Sequence, residues 1–281
     1  MGSNMAEQHP VGFQYVVEAR LRGAKIIHVD PRFTRTSAMS NLHVPIRAGT
    51  DIALLGGVIN YILENDRYFE EYVKRYTNAA TIINENFADT EDTGGLFSGW
   101  DPESGYDIST WSYAGVSVSG SAGQREQGGT TGEQSAQGSQ SGGLKHGMPP
   151  EVDETLEHPR CVFQLLKKHY SRYTPEMVEQ VCGVPRELFL RVAEAMCDAS
   201  GRERTGAICY AVGWTQHTTG VQIIRAAAII QLLLGNIGRP GGGILALRGH
   251  ANIQGSTDIP TLYDILPGYI PMPHPDRKSV V

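Results

Sequence analysis

The chain lacks several signals that would assign it at once to a common class of protein. Its 281 residues include only four cysteines, with no C-x-x-C pair and no histidine spacing of the zinc-site kind. The longest apolar run, residues 221–234, is shorter than the roughly 20 residues that a membrane span needs, and it contains Arg225. These absences argue against a disulfide framework, a cysteine-ligated zinc site and a membrane-spanning helix.

Positive charge is also scarce. The chain has 24 Lys and Arg residues against 30 Asp and Glu residues, which gives a net charge of -6 at pH 7. With this charge the protein lacks the positive electrostatic field that would bind a polyanionic backbone, so nucleic acid is not expected as a partner. Hydrophobic residues make up 40% of the chain and charged residues 19%. This composition is typical of a globular protein.

A stretch rich in Gly, Ser and Gln interrupts the chain. Residues 113–151 contain almost no large apolar side chain, so they predict a flexible surface insertion. The insertion separates a first lobe, residues 1–112, from a second lobe, residues 152–270, and residues 271–281 form a Pro-rich tail.

Both lobes alternate helical and extended patterns. In the first lobe, helical apolar spacing over residues 11–21 precedes a β-branched run at 24–29. A second extended run at 42–46 leads into an apolar helix at 52–63. In the second lobe, a buried strand at 206–212 turns into the apolar helix at 221–234. The alternation predicts an α/β fold of doubly wound parallel sheets in two lobes.

Two polar positions suggest a nucleotide site in the first lobe. The loop of Gly2, Ser3 and Asn4 precedes the first helix, and Asp30 ends the first extended run. An acidic residue in that place can accept a ribose hydroxyl, although the loop is no G-x-G-x-x-G. From the residues alone, a nucleotide-binding loop and a plain helix-capping loop both remain open.

Eight segments carry a family resemblance by their order along the chain. They are GSNMAEQHPVGF, AKIIHVDPRFTRT, PIRAGTD, HPRC, SRYTPEMVEQVCGVP, YAVGWTQHTTG, GNIGRPGGG and LRGHANIQGSTD. Together they resemble the catalytic α-subunit of membrane-associated formate dehydrogenases of the nitrate-respiratory type. Those subunits belong to the molybdopterin oxidoreductase (dimethyl sulfoxide reductase) family.

The resemblance implies that the two lobes surround a dinucleotide-type cofactor. This would be bis(molybdopterin guanine dinucleotide) with molybdenum or tungsten, accompanied by a 4Fe-4S cluster and a selenocysteine or cysteine ligand to the metal. In the family, the cluster and that ligand lie upstream of GSNMAE. The chain is therefore expected to be an internal fragment of a larger subunit, without the first strand of its first lobe, without a metal ligand of its own, and inactive alone.

The resemblance also assigns cofactor-binding residues. Close approach to phosphates needs small residues, and sugar or guanine N–H and O–H groups need carboxylates. The implied positions are Gly2, Ser3, Asn4, Met5, Ala6, Glu7, Asp30, Arg32, Thr34, Gly49, Thr50, Asp51, Gly213 and Gln216. Helix capping by the Ser, Asn, Thr and Asp residues is the alternative role, and both roles can hold together. For His9 and His217, ligand contact and capping remain equally open.

Arg248, in the segment LRG, is the implied substrate-binding and catalytic residue. Formate is a planar carboxylate, and a guanidinium can hold both of its oxygens with two donors while the C–H bond stays free. The alternative is an arginine that binds a cofactor phosphate or forms a surface ion pair.

The function implied by the resemblance is oxidation of formate to carbon dioxide, with two electrons passing to an iron–sulfur chain. One alternative is a non-catalytic scaffold of the same fold, such as the large subunit of respiratory complex I, which Arg248 and the intact GSNMAE and GWTQH segments disfavour. Another molybdopterin oxidoreductase, such as nitrate reductase, shares GSNMAE-like loops, whereas LRGHANIQGSTD and HPRC favour formate. An NAD-dependent dehydrogenase is disfavoured by the lack of G-x-G-x-x-G.

Partners and location follow from the resemblance alone. An iron–sulfur electron-transfer β-subunit and a membrane cytochrome b γ-subunit are expected. The complex would be periplasmic and membrane-associated, with its twin-arginine export signal outside this chain.

Overall fold

The computed structural model describes residues 1–116 and 150–250, together with residues 253, 255, 265–266 and 270–271. The chain divides into two compact units: Met1–Asn78 with Leu166–Gly249, and Ala79–Leu165 with His250–Val281. This division differs from the predicted lobes 1–112 and 152–270, because segments of both halves pack together in the first unit. Most of the predicted insertion, residues 117–149, and nearly all of the Pro-rich tail lie outside the described residues.

Helices and short strands alternate along the described chain. In order, the elements are α1 (Met5–Gln8), α2 (Pro10–Leu21), β1 (Ile27–Val29), α3 (Arg35–Ala38), β2 (Leu42–Val44), α4 (Asp51–Glu64), α5 (Glu70–Tyr76), β3 (Trp100–Asp101), β4 (Gly105–Tyr106), a 3-10 helix (Ile108–Trp111), α6 (Val162–Tyr170), α7 (Pro175–Cys182), α8 (Arg186–Asp198), β5 (Ala207–Tyr210), α9 (Val212–Thr215), α10 (Gly220–Leu233), β6 (Gly243–Ala246), β7 (Ile265–Leu266) and β8 (Ile270–Pro271).

Two parallel strand pairs organise the first unit. β1 pairs with β2, with His28 opposite His43. β5 pairs with β6, with Ile208 opposite Ile244. Helices connect the strands of each pair, which is the arrangement that parallel pairing requires. The predicted α/β class is therefore confirmed, and each sheet formed by the described strands contains two of them.

The core of the first unit forms where α4 packs against α10. Both helices are apolar on most sides, and such helices are normally buried. Leu54 and Ile59 of α4 and Ile223 and Ile230 of α10 are completely buried. Each such side chain contributes about 1.5–3 kcal/mol through the area that it removes from water. The α4–α10 contact joins segments from the two halves of the chain into one unit.

Helix α7 packs on the same core and has clear ends. The backbone N–H of Met177 donates to the Thr174 hydroxyl (3.2 Å), which caps the start of the helix. Gly183 ends it in the left-handed conformation, at a φ of 68°. Val178 of α7 contacts α4 at Gly57, where no side chain separates the two helices.

The second unit contains the hairpin of β3 and β4 and a set of isolated β-bridges. The Asp153 carboxylate accepts N–H donors from Thr155, Glu157 and His158, and the hydroxyl and backbone donors around it lower its pKa to about 2. The Arg160 guanidinium donates to the backbone carbonyls of Ile83, Asn84 and Phe87. Side chains therefore hold much of the irregular backbone of this unit.

No helix within the described part of the chain is long and apolar enough to cross a membrane. The two long apolar helices, α4 and α10, each have 14 residues.

We expect Gly57→Ala to destabilise the protein. A Cβ atom at Gly57 would lie 2.5 Å from Val178 Cγ2 and 3.0 Å from Phe189 Cζ, inside a packed core. Overpacking of this kind lowers the free energy of unfolding by about 1–3 kcal/mol, which thermal or urea denaturation will measure. Gly12→Ala in α2 is the matched control, because its Cβ would meet only the mobile end of Met5. Equal stability of the two variants would contradict the close α4–α7 contact.

Candidate functional site

Four segments of the first unit converge on a cleft of about 230 Å³. Residues 2–4 precede α1, residues 29–31 follow β1, residues 48, 49 and 51 lead into α4, and residues 213 and 217 follow β5. In parallel α/β folds, ligands bind at the carboxyl ends of the strands. The cleft occupies that position for β1 and for β5.

Glycine backbones form the contact between the first and last of these segments. Gly2 has a φ of 57°, and the Gly213 N–H donates to the Gly2 carbonyl over 3.1 Å. A Cβ atom on Gly213 would lie 2.6 Å from the Gly2 carbonyl oxygen. The two backbones can come this close only because both residues lack a side chain. On this side, peptide groups therefore line the cleft.

Ser3 carries the most informative polar group of the cleft. Its hydroxyl is buried and has no hydrogen-bond partner within the protein. A buried hydroxyl without a partner carries a desolvation cost of about 1–3 kcal/mol, which a ligand oxygen would relieve. Ser3 lines the cleft, so its hydroxyl is available to an anionic or carbonyl group bound there. Thr34 is also buried, but it does not line this cleft.

A short hydrogen-bond chain fixes the Asn4 side chain. The Thr36 hydroxyl donates to Asn4 Oδ1 over 2.9 Å and accepts from the Ala6 backbone N–H over 3.0 Å. Asn4 Nδ2 donates to Glu7, whose carboxylate also pairs with Arg35 at 3.1 Å. Asn4 and Glu7 are therefore held in place before any ligand binds.

Asp51 is the buried carboxylate of the cleft. Its Oδ1 accepts from Trp214 Nε1 over 3.0 Å, and the Trp214 ring stacks on Tyr210 with centroids 5.1 Å apart. Burial raises the pKa of Asp51, while the Trp214 hydrogen bond opposes that shift. A further donor from a ligand would favour the ionised form for the same reason.

Asp30 lies at the end of β1. Its Oδ1 accepts from the Arg32 backbone N–H over 2.8 Å. The Arg32 side chain is exposed and does not line the cleft. Asp30 thus shapes its own loop and also faces the cleft.

Seven of the predicted cofactor residues line this cleft: Gly2, Ser3, Asn4, Asp30, Gly49, Asp51 and Gly213. The others do not line it: Met5, Ala6, Glu7, Arg32, Thr34, Thr50 and Gln216. The Thr50 hydroxyl donates to the Arg47 carbonyl over 2.7 Å, and Gln216 is exposed at the end of α9. Arg248 is exposed two residues beyond β6 and also lies outside the cleft.

The structure adds residues that sequence reasoning missed. Trp214 orients Asp51, and Thr36 orients Asn4. His28 in β1 contacts the Ser3 carbonyl. The sequence contains no local signal for these contacts, because each partner lies 25 or more residues away. His217 also lines the cleft.

A larger cleft of about 1610 Å³ adjoins the first and shares Ser3 and Val29 with it. Its walls come largely from apolar residues of α2, β1, α8 and β5. Among the described residues, no three His, Cys, Asp or Glu side chains come together as metal ligands would. The convergence of glycines, an unpartnered hydroxyl and carboxylates makes the smaller cleft the candidate site.

The chain is similar to several curated proteins over nearly its whole length. It is 48% identical over 271 residues to formate dehydrogenase subunit alpha of Megalodesulfovibrio gigas, covering 96% of this chain and 24% of that protein. Identity to formate dehydrogenase 2 subunit alpha (cytochrome c-553) of Nitratidesulfovibrio vulgaris is 50% over 274 residues, covering 97% and 24%. The nitrate-inducible formate dehydrogenase major subunit of Escherichia coli is 48% identical over 275 residues, with the same coverages. The chain thus spans about a quarter of the length of these relatives.

Among solved structures, acetylene hydratase from Pelobacter acetylenicus aligns with 82% of this chain and 20% of its own, at 18% identity and a TM-score of 0.44. The sequence pattern of the Molybdopterin oxidoreductase family matches residues 1–266. The chain belongs to the molybdopterin oxidoreductase family.

Proposed function

We propose that the protein containing this chain oxidises formate to carbon dioxide. The supporting observation is 48–50% identity, over 96–97% of the chain, to formate dehydrogenase α-subunits from three bacteria. Family membership implies the molybdopterin cofactor with molybdenum or tungsten, and we assign part of that cofactor to the cleft. The reaction converts one formate anion into carbon dioxide, one proton and two electrons.

The polar groups of the cleft suit a nucleotide portion of the cofactor. The unpartnered Ser3 hydroxyl can donate to a phosphate oxygen, and the glycines at positions 2, 49 and 213 allow backbone to approach it. Asp30 can accept from ribose hydroxyls, and Asp51 from guanine N–H groups. The proposed cofactor is therefore the guanine dinucleotide form, bis(molybdopterin guanine dinucleotide).

The other cofactor-binding positions are proposed on the family resemblance. Met5, Ala6 and Glu7 lie in α1 beside the cleft loop. Arg32 and Thr34 lie in the loop between β1 and α3, Thr50 adjoins the cleft residue Gly49, and Gln216 ends α9. They would contact parts of the cofactor that extend beyond the small cleft.

Arg248 is the proposed substrate residue. A guanidinium offers two parallel N–H donors to the two oxygens of formate, which fixes the orientation of the C–H bond. When bound, the cofactor supplies a metal centre that accepts the two electrons. The role of Arg248 is to bind and orient formate.

Further components are proposed from the resemblance alone. They are a 4Fe-4S cluster and a selenocysteine or cysteine metal ligand in other parts of the subunit, an iron–sulfur β-subunit and a cytochrome b γ-subunit. The proposed location is the periplasmic side of a membrane complex in anaerobic respiration.

The test of the proposed function begins with the purified full-length subunit. We expect molybdenum or tungsten by elemental analysis, guanosine monophosphate after acid hydrolysis, and reduction of a viologen dye that depends on formate. If the protein contains metal and nucleotide but reduces nitrate and does not oxidise formate, it is a different oxidoreductase of the family. Folded protein without metal or nucleotide would show a scaffold.

Asp51→Asn should weaken retention of the guanine nucleotide. The amide keeps an acceptor for Trp214 Nε1, which is now 3.0 Å from Asp51 Oδ1, but it loses the charge that strengthens hydrogen bonds to the base. We expect bound nucleotide after dialysis to fall by roughly tenfold or more, since charge-assisted bonds contribute about 1.5–3 kcal/mol. Glu64→Gln, at the exposed far end of α4, is the control. If the Asp51→Asn variant retains as much nucleotide as the wild type, Asp51 does not bind the nucleotide.

Arg248→Lys should separate substrate binding from cofactor binding. Lysine keeps the positive charge but loses the planar pair of donors, so formate is attracted without being fixed. Turnover should fall by roughly 100-fold, because misplacement of about an ångström has that effect in an oriented reaction. Metal and nucleotide contents should stay unchanged, and Arg191→Lys on the surface of α8 is the control. Loss of cofactor with normal turnover in the remaining loaded enzyme would make Arg248 a phosphate ligand.

A further inference from the structure

Two histidines in register on β1 and β2 each contact a carbonyl of a cleft loop. His28 is 3% exposed, and its Nε2 lies 3.0 Å from the Ser3 carbonyl oxygen. His43, opposite His28 in the parallel pair, has its Nε2 3.0 Å from the Asp30 carbonyl oxygen. Ser3 and Asp30 both line the cleft. The two imidazoles therefore hold two different loops of one site.

The hydrogen-bond pattern fixes the tautomer of His28. A carbonyl oxygen only accepts, so Nε2 carries the proton and donates to Ser3. The other ring nitrogen, Nδ1, then accepts from the Ser37 hydroxyl at 2.8 Å. Ser37 Oγ in turn accepts from the Thr34 backbone N–H at 2.9 Å. The neutral ring has a partner at both nitrogens.

Burial lowers the pKa of His28, and this effect exceeds the opposing hydrogen bond to Ser3 and the attraction of Asp30, whose carboxylate lies 3.8 Å from the ring. The neutral form is the one that this network needs. A protonated ring would present a donor at Nδ1, where the Ser37 hydroxyl already donates.

The hydrogen bond from His28 determines the direction in which the Ser3 carbonyl points. Because the peptide unit is planar and trans, a carbonyl that points at His28 directs the next N–H, that of Asn4, to the opposite side. The Ser3 hydroxyl takes no part in the His28 contact and remains unpartnered. The imidazole thus holds the loop by its backbone and leaves the hydroxyl for a ligand.

We propose that His28 and His43 are positioning residues of the cofactor cleft, each anchoring one nucleotide-binding loop through its backbone carbonyl. This inference rests on the proposed function, because it requires that a nucleotide occupies the cleft. Neither imidazole needs to touch the cofactor. Their effect is expected in how long the nucleotide stays bound.

The experiment compares His28→Gln with His28→Asn in the full-length, cofactor-loaded subunit. A Gln amide reaches about the position of Nε2 and can still donate to the Ser3 carbonyl. An Asn amide ends near the position of Nδ1, so it can form a hydrogen bond with the Ser37 hydroxyl but does not reach the Ser3 carbonyl. We expect nucleotide release, followed as guanosine monophosphate lost on dilution, to be about five- to tenfold faster in His28→Asn, which is the effect of one lost hydrogen bond. His28→Gln should stay within about threefold of the wild type.

Several outcomes would overturn the proposal. Equal release from the Gln and Asn variants would show that the Ser3 contact has no effect, and so would wild-type release from His28→Asn. If the His28 variants do not fold, His43→Gln and His43→Leu supply the same comparison at the Asp30 carbonyl, and equal release from those two would reject the role. A wild-type subunit without nucleotide would instead reject the proposed function, which the wild-type measurement detects separately.

Discussion

The candidate site depends on the backbone contact between Gly2 and Gly213. These residues are more than 200 positions apart, and the Gly213 N–H donates to the Gly2 carbonyl at 3.1 Å. The contact closes one side of the cleft and brings the loop before α1 to the turn after β5. Any side chain at either position would separate the two loops, since a Cβ at Gly213 would lie 2.6 Å from a backbone oxygen. The contact therefore helps to bring the polar groups of Ser3 and Asp51 into one cleft.

The helical packing beneath the cleft positions its other half. Asp51 is the first residue of α4, and α4 is held by α10 and α7. Trp214, just before α10, donates to Asp51 at 3.0 Å. The Trp214 ring and the first turn of α4 thus connect the Asp51 carboxylate to the core. A site built on packed helices and strand ends varies less in geometry than one built on free loops.

Local patterns in the sequence predicted most elements of the first unit. The apolar stretches at 52–63 and 221–234 became α4 and α10, because their periodicity and length leave few alternatives. The division into units was not predictable in the same way. It follows from the α4–α10 contact, which joins residues about 170 positions apart, and a single sequence contains no signal for such a pairing.

The sequence predicted the loops that line the candidate site, but it did not predict the residues that hold those loops in place. The family resemblance and the strand-end rule pointed to Ser3, Asp30, Gly49 and Gly213, all of which line the cleft. Predicted neighbours such as Thr50 and Gln216 point elsewhere, because adjacent residues of a turn or helix face different directions. In sequence, His28 is simply one residue of a β-branched strand, and its role depends on carbonyl and hydroxyl partners brought near by folding.

The unpartnered hydroxyl of Ser3 has a thermodynamic consequence for the stability of the protein. A buried donor without an acceptor costs the folded state about 1–3 kcal/mol, and that cost disappears when a ligand accepts its proton. Binding and folding are then linked: the loaded chain resists unfolding more than the empty one, by an amount that grows with the concentration of free cofactor. On the proposed binding mode, chains without cofactor would unfold more often than loaded chains, and they would be cleaved more readily by a protease that acts on the unfolded form.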